Sequence, residues 1–179
     1  MSFKKGWRVA QISKATAWAI GRACDFVLSF SVTVGYSSTP LAKKLGIKEG
    51  FAVLAVNPPD DYTDLLEPIP KDVRFEDALR TRASAGAIHT TRPNIDLVHV
   101  FTNSREELFG ELAKCVRLIK QNGSIWVSWY KKAAKLTTEI TEDTVREAAF
   151  PLGLVDIKVC AVDEKWSGLK LVIRKENRI

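Results

Sequence analysis

Apolar residues along the chain fall into runs of two kinds. Phe51-Ala52-Val53-Leu54-Ala55-Val56 and Ile95-Asp96-Leu97-Val98-His99-Val100-Phe101 are nearly continuous. Such runs predict strands buried on both faces, as in the middle of a parallel sheet. Ser124-Ile125-Trp126-Val127-Ser128-Trp129 predicts a third strand. Between the second and third, Leu108, Leu112, Val116 and Ile119 recur at helical spacing and share one face. Ser104 and Glu107 have the spacing of a capping box at the start of that helix, and Asn122-Gly123 reads as its end. Thr141 caps a further helix, with Glu142 and Asp143 in the first turn, where the helix dipole favours anions.

Flanking segments are shorter. Thr39 and Pro40 open a short helix with Leu41, Ala42 and Leu45 on one edge and Gly46 as a left-handed stop. Asn57-Pro58-Pro59-Asp60 ends the first strand, a short helix covers 62–67, and 72–75 reads as a short strand. Residues 78–94 carry no clear period, and 90–94 read as loop. The tail alternates with period two on both sides of Asp163-Glu164-Lys165-Trp166-Ser167-Gly168, which predicts an antiparallel hairpin with Trp166 folded back on the sheet. Strand–helix–strand–helix–strand with short links predicts right-handed crossovers. The fold class is therefore α/β: a Rossmann-like three-layer domain, mostly parallel, closed by a C-terminal antiparallel β-hairpin.

Charge divides the chain. The net charge is +6, yet residues 1–34 hold Lys4, Lys5, Arg8, Lys14 and Arg22 against Asp25 alone. Their apolar run, 23–34, is broken by Asp25 and falls short of the ~20 residues a bilayer span needs. Arg22 and Asp25 also interrupt any signal-peptide core. The change of composition at Gly35 places 1–34 outside a single domain of 35–179 and points to a natural start near Val32 or Val34. The body is nearly balanced, with Lys43-Lys44 and Lys131-Lys132 as its short basic pairs. That pattern lacks the clustered stripe of a nucleic-acid surface, so neither nucleic acid nor membrane is expected as a partner. Cys24, Cys115 and Cys160 have no metal-site or pairing pattern, which fits a reducing cytoplasm.

In open α/β sheets ligands bind beyond the carboxyl ends of the strands. Those ends offer Asn57, Asp60 and Tyr62; Thr102, Asn103, Ser104 and Arg105; and Trp129, Lys131 and Lys132. Together they describe a polar mouth with cations and an aromatic wall, suited to a small anionic molecule. His99, inside a strand, reads as a hydrogen-bonded core residue, and His89 lies in uncertain loop. No Ser/His/Asp or Cys/His arrangement is visible in the sequence.

Two resemblances follow from these residues. Residues 95–129 followed by 141–173 resemble the C-terminal half of a class I methyltransferase domain: strand, helix, glycine-then-strand step, helix, hairpin. More specifically, 35–47 (GYSSTPLAKKLGI), Ser128-Trp129-Tyr130-Lys131-Lys132 and 159–172 (VCAVDEKWSGLKLV) resemble an uncharacterised bacterial family, the domain of unknown function 3052. This likeness covers 35–174 and implies no known chemistry. The methyltransferase resemblance implies S-adenosylmethionine held by a glycine-rich turn after the first strand, and an acid near the end of the next, for which Glu76 and Asp77 are candidates. Here that turn contains Asn57, Pro58 and Pro59 without glycine, and proline has no amide to donate. A GxGxxG phosphate cradle is missing at the same place. The expected function is therefore a non-catalytic, small-ligand-binding or regulatory protein without the cofactor loop. The alternatives are an enzyme, S-adenosylmethionine-dependent or otherwise, with a non-standard site at the strand ends, and a partner-binding module.

Overall fold

The computed structural model describes residues 39–76 and 94–178. The expectations for 1–34, for 78–93, for Asp77 and for His89 lie outside the described residues.

The strands are β1 (Ala52–Val56), β2 (Arg74–Glu76), β3 (Ile95–Phe101), β4 (Ile119–Tyr130), β5 (Leu154–Ala161) and β6 (Trp166–Ile173). They form one sheet in the order β2-β1-β3-β4-β6-β5. β1 runs parallel to β2 and to β3, and β3 parallel to β4. β6 is antiparallel to both β4 and β5, which is the closing hairpin. The helices are α1 (Leu41–Leu45), α2 (Tyr62–Leu65), α3 (Arg105–Cys115) and α4 (Glu142–Ala149).

Because side chains alternate along a strand, the central strands feed two cores. On one face Val98, Val100, Ile125 and Val127 pack with Leu108, Leu112 and Cys115 of α3 and Val145 and Ala149 of α4. On the other, Leu97, Phe101 and Trp126 pack with Leu41 and Leu45 of α1, Tyr62 of α2 and Leu66. The Trp126 indole N–H donates to the Leu45 carbonyl at 2.9 Å, which ties α1 to the sheet.

Several details differ from the sequence reading. Trp166, Ser167 and Gly168, read as hairpin connection, belong to β6 and pair with β4. The second helix ends at Leu65, and the short second strand is Arg74–Glu76. α3 ends at Cys115, and Ile119 already pairs with Ile95 in β4. The register shifts between Ile95 and Leu97, so the residues before Ser124 form an irregular strand entry and not a helix end. Gly123 fits there because a Cβ would come within 3.1 Å of the Ile95 and Asp96 carbonyls. Pro40 takes the N-cap position of α1 in place of the first helical position. In β5 the register shifts between Asp156 and Lys158, and Ile157 and Val159 lie outward on an edge strand, 57% and 47% exposed.

Candidate functional site

From β1 the chain crosses to β2 on one side, then returns through β3 on the other. The crossover direction thus reverses between β1 and β3, and in open α/β sheets the ligand crevice lies beyond such a switch point, at the carboxyl ends. Asn57 follows β1 with φ +51, a left-handed conformation that asparagine tolerates better than most side chains. Its amide Nδ2 donates to Glu107 Oε1 at 2.6 Å. The Thr102 hydroxyl, just beyond β3, donates to the other Glu107 oxygen. Thr102 Oγ1 also accepts the Ser104 N–H at 3.2 Å. β1, β3 and α3 are therefore joined by an amide, a carboxylate and a hydroxyl.

This arrangement replaces the capping box expected of Ser104 and Glu107. The Ser104 side chain makes no cap bond. Thr102 takes the Ser104 amide, and the Glu139 carboxylate takes the Arg105 amide at 2.8 Å. Partners from outside the helix satisfy its start, and Glu107 is released to the crevice. Glu107 was not among the expected site residues, because its spacing from Ser104 reads equally well as local capping.

The expected site residues are placed as follows. Asn57 is exposed at the crevice, and Asp60 is exposed in the turn beyond the two prolines. Tyr62 is buried under α2, whereas Trp129 is buried on the opposite face with the α3–α4 core. Asn103 Oδ1 accepts the Tyr130 N–H at 2.8 Å, and its carbonyl accepts the Glu139 N–H at 2.9 Å. The Arg105 guanidinium pairs with Glu147 and lies 5.0 Å from the centre of the Phe109 ring. Lys131 Nζ donates to the Asp163 carbonyl at 2.6 Å, and Lys132 is exposed. The fold gathers Asn57, Thr102 and Glu107. It directs Tyr62 and Trp129 into separate cores and gives Arg105 and Lys131 other partners.

Beneath α2 lies a second polar group. Tyr62 Oη and His99 Nδ1 are 3.0 Å apart, and His99 Nε2 and Ser128 Oγ are 2.7 Å apart. His99 and Ser128 have no exposed surface. Burial pushes the imidazole down to about 3 and raises the Tyr62 phenol above its ordinary range. The imidazole is thus neutral at pH 7, with one nitrogen donating and the other accepting. Gly168 faces Ser128 across β4 and β6, where a Cβ would approach the serine oxygen to 3.1 Å. Phe101 stacks edge-on to Trp166 at 5.1 Å, so Trp166 is folded back on the sheet as its position in the hairpin predicts. His99 is a satisfied core histidine.

Among the described residues, no helix is long and apolar enough to cross a membrane. A family model described as "Protein of unknown function (DUF3052)" matches residues 42–175. No curated protein matches the chain. The fold is similar to that of a "putative type 11 methyltransferase" from Sulfolobus solfataricus, with 13% identity and a TM-score of 0.52 over 76% of this chain and 91% of that one. It is also similar to a "possible exported protein" from Bordetella parapertussis, with 13% identity and a TM-score of 0.50 over 74% of this chain. The chain spans 65% of the length of the Bordetella protein. At these identities the likeness is one of fold, and that fold is methyltransferase-like.

Proposed function

The chain belongs to the DUF3052 family, the proteins of unknown function whose model spans residues 42–175, and from that premise we propose that it is a non-catalytic, small-ligand-binding or regulatory domain whose site is the switch-point crevice between β1 and β3. The observation that carries this reading is the bridge from Asn57 to Glu107 and on to Thr102. Asn57 adopts the left-handed turn for which a cofactor loop uses glycine, yet keeps a side chain that reaches across the crevice. Pro58 and Pro59 bring no amide donors to the same turn. A carboxylate at the mouth favours a ligand rich in hydrogen-bond donors over an anion. The Ser128–His99 pair, sealed inside the core, has no route to a substrate.

The test is a thermal-shift titration with adenosine, S-adenosylmethionine, S-adenosylhomocysteine, AMP and inorganic phosphate. A ligand that binds only the folded state adds about 2.7 kcal/mol at a hundred times its dissociation constant. The expected result is a rise with a donor-bearing probe that is lost in Glu107→Ala. A rise with phosphate or AMP alone, lost in Arg105→Ala, would replace this reading with the anion site of Arg105, Lys131 and Lys132. Transfer of label from methyl-labelled S-adenosylmethionine to any acceptor would overturn the non-catalytic assignment.

A further inference from the structure

Four lysines from distant stretches of sequence meet at the carboxyl end of α1. Lys44 lies in α1, Lys48 just past it, Lys158 in the edge strand β5 and Lys170 in β6. Lys158 Nζ donates to the Lys44 carbonyl at 3.0 Å. Lys170 Nζ lies 3.4 Å from the Leu45 carbonyl and 5.9 Å from the centre of the Trp126 ring. The two carbonyls are consecutive, so the two ammonium groups are held side by side. Lys170 is half-buried, and burial first, then the charges of Lys158 and Lys48, lower its pKa from the usual lysine value. Burial raises the pKa of the Cys160 thiol in β5, and the charges of Lys158, Lys44 and Lys131 offset part of that rise. Among the described residues, none of Lys44, Lys48, Lys158 and Lys170 forms an ion pair with a carboxylate.

Like charges gathered on a partly dry surface disfavour one another, and an anion relieves that repulsion. We propose that this corner is a docking surface for the phosphate backbone of a nucleic acid. Several observations favour that partner. Lys48 and Lys158 are exposed, and the ammonium groups of Lys158 and Lys170 sit on consecutive carbonyls of one helix end, a concentration of positive charge that a chain of phosphates complements. Trp126 is fully buried and offers no face for base stacking, so the surface reads charge and not sequence. The sequence alone shows only Lys43-Lys44, because the other members are 114 and 125 positions removed from their α1 contacts. The surface is independent of the Asn57–Glu107 crevice and stands or falls separately from it.

Fluorescence anisotropy of a labelled 20-base-pair duplex, titrated with the full chain at 50, 100 and 200 mM KCl, tests this. Each neutralised phosphate contributes about 0.9 to the slope of log K against log salt. The four lysines predict a slope of at least about 3. Lys48→Glu with Lys158→Glu should weaken binding at least tenfold at 100 mM and lower the slope by about 2. Arg117→Glu with Lys175→Glu, the same charge reversal away from α1, should leave both unchanged. Lys158 also caps α1, so Lys44→Glu with Lys48→Glu replaces the first pair if melting curves show loss of folding. Absence of duplex binding at 50 mM, or equal losses in the Arg117/Lys175 pair, would overturn the proposal. So would binding to phosphatidylserine vesicles or to inorganic phosphate with none to the duplex.

Discussion

His99 lies where solvent does not reach, held between the Tyr62 hydroxyl and the Ser128 hydroxyl. Such a histidine ties stability to pH in one direction. Its folded pKa is depressed to about 3, while the unfolded chain titrates near 6.5. Below about 6.5 the unfolded state takes up a proton that the folded state refuses. Stability is therefore fully present above that pH and is lost as the pH falls toward 3, by at most about 1.4 kcal/mol per unit. Urea denaturation between pH 7 and pH 4 should show this slope, and His99→Gln should flatten it. An unchanged slope in the variant would assign the acid sensitivity to other groups. Gly168 is the neighbouring test of packing. A methyl group there meets Ser128 Oγ at 3.1 Å, Val162 at 3.2 Å and Trp126 at 3.3 Å. Gly168→Ala should cost about 1–3 kcal/mol by overpacking, since all three neighbours must move to admit it. A variant as stable as the parent would mean that β6 shifts freely against β4.

At the scale of elements, the start of α3 separates local from tertiary chemistry. Ser104 occupies the N-cap, yet the amides there bond to Thr102 and Glu139. Ser104→Ala should therefore change stability by no more than about 0.5 kcal/mol, as an exposed substitution does. Thr102→Val leaves the Ser104 amide and the Glu107 carboxylate without their hydroxyl and should cost about 1–3 kcal/mol. Chemical denaturation of the two variants compares them directly, and equal losses would restore the capping box. The same contrast explains what the sequence discloses. The continuous runs at 52–56 and 95–101 revealed β1 and β3 because burial on both faces leaves few polar positions. The cap at Thr141 was legible because its partner, Thr144, is three residues away. Glu107 was not legible as a crevice residue, since Asn57 lies 50 positions off and nothing local marks the bond. The start of β4 was hidden for a related reason. Ile119 completes a helical spacing with Leu108, Leu112 and Val116, and only pairing with Ile95 makes it a strand residue. Tyr62 opens α2 and Trp129 lies at the end of β4, and which face each enters depends on register, which follows from the sheet.

For the whole molecule, one sheet bears two cores, and the described residues that fill both come from 41–76 and 95–173. This bears on the segment before Gly35. The α1 face is closed over Trp126, Phe101 and Leu97 by Leu41, Leu45, Tyr62 and Leu66, all at 6% exposure or less. The family model likewise begins at residue 42. We therefore propose that residues 35–179 carry the whole folding unit, and a chain beginning at Gly35 should unfold in one cooperative step with the midpoint and urea dependence of the full chain. The urea dependence is the sharper readout, because its slope scales with the surface exposed on unfolding. If residues 1–34 were part of the core, their removal would lower the slope together with the midpoint. If they lie outside it, slope and midpoint both stay, and the lysine corner of α1, β5 and β6 binds the duplex as before.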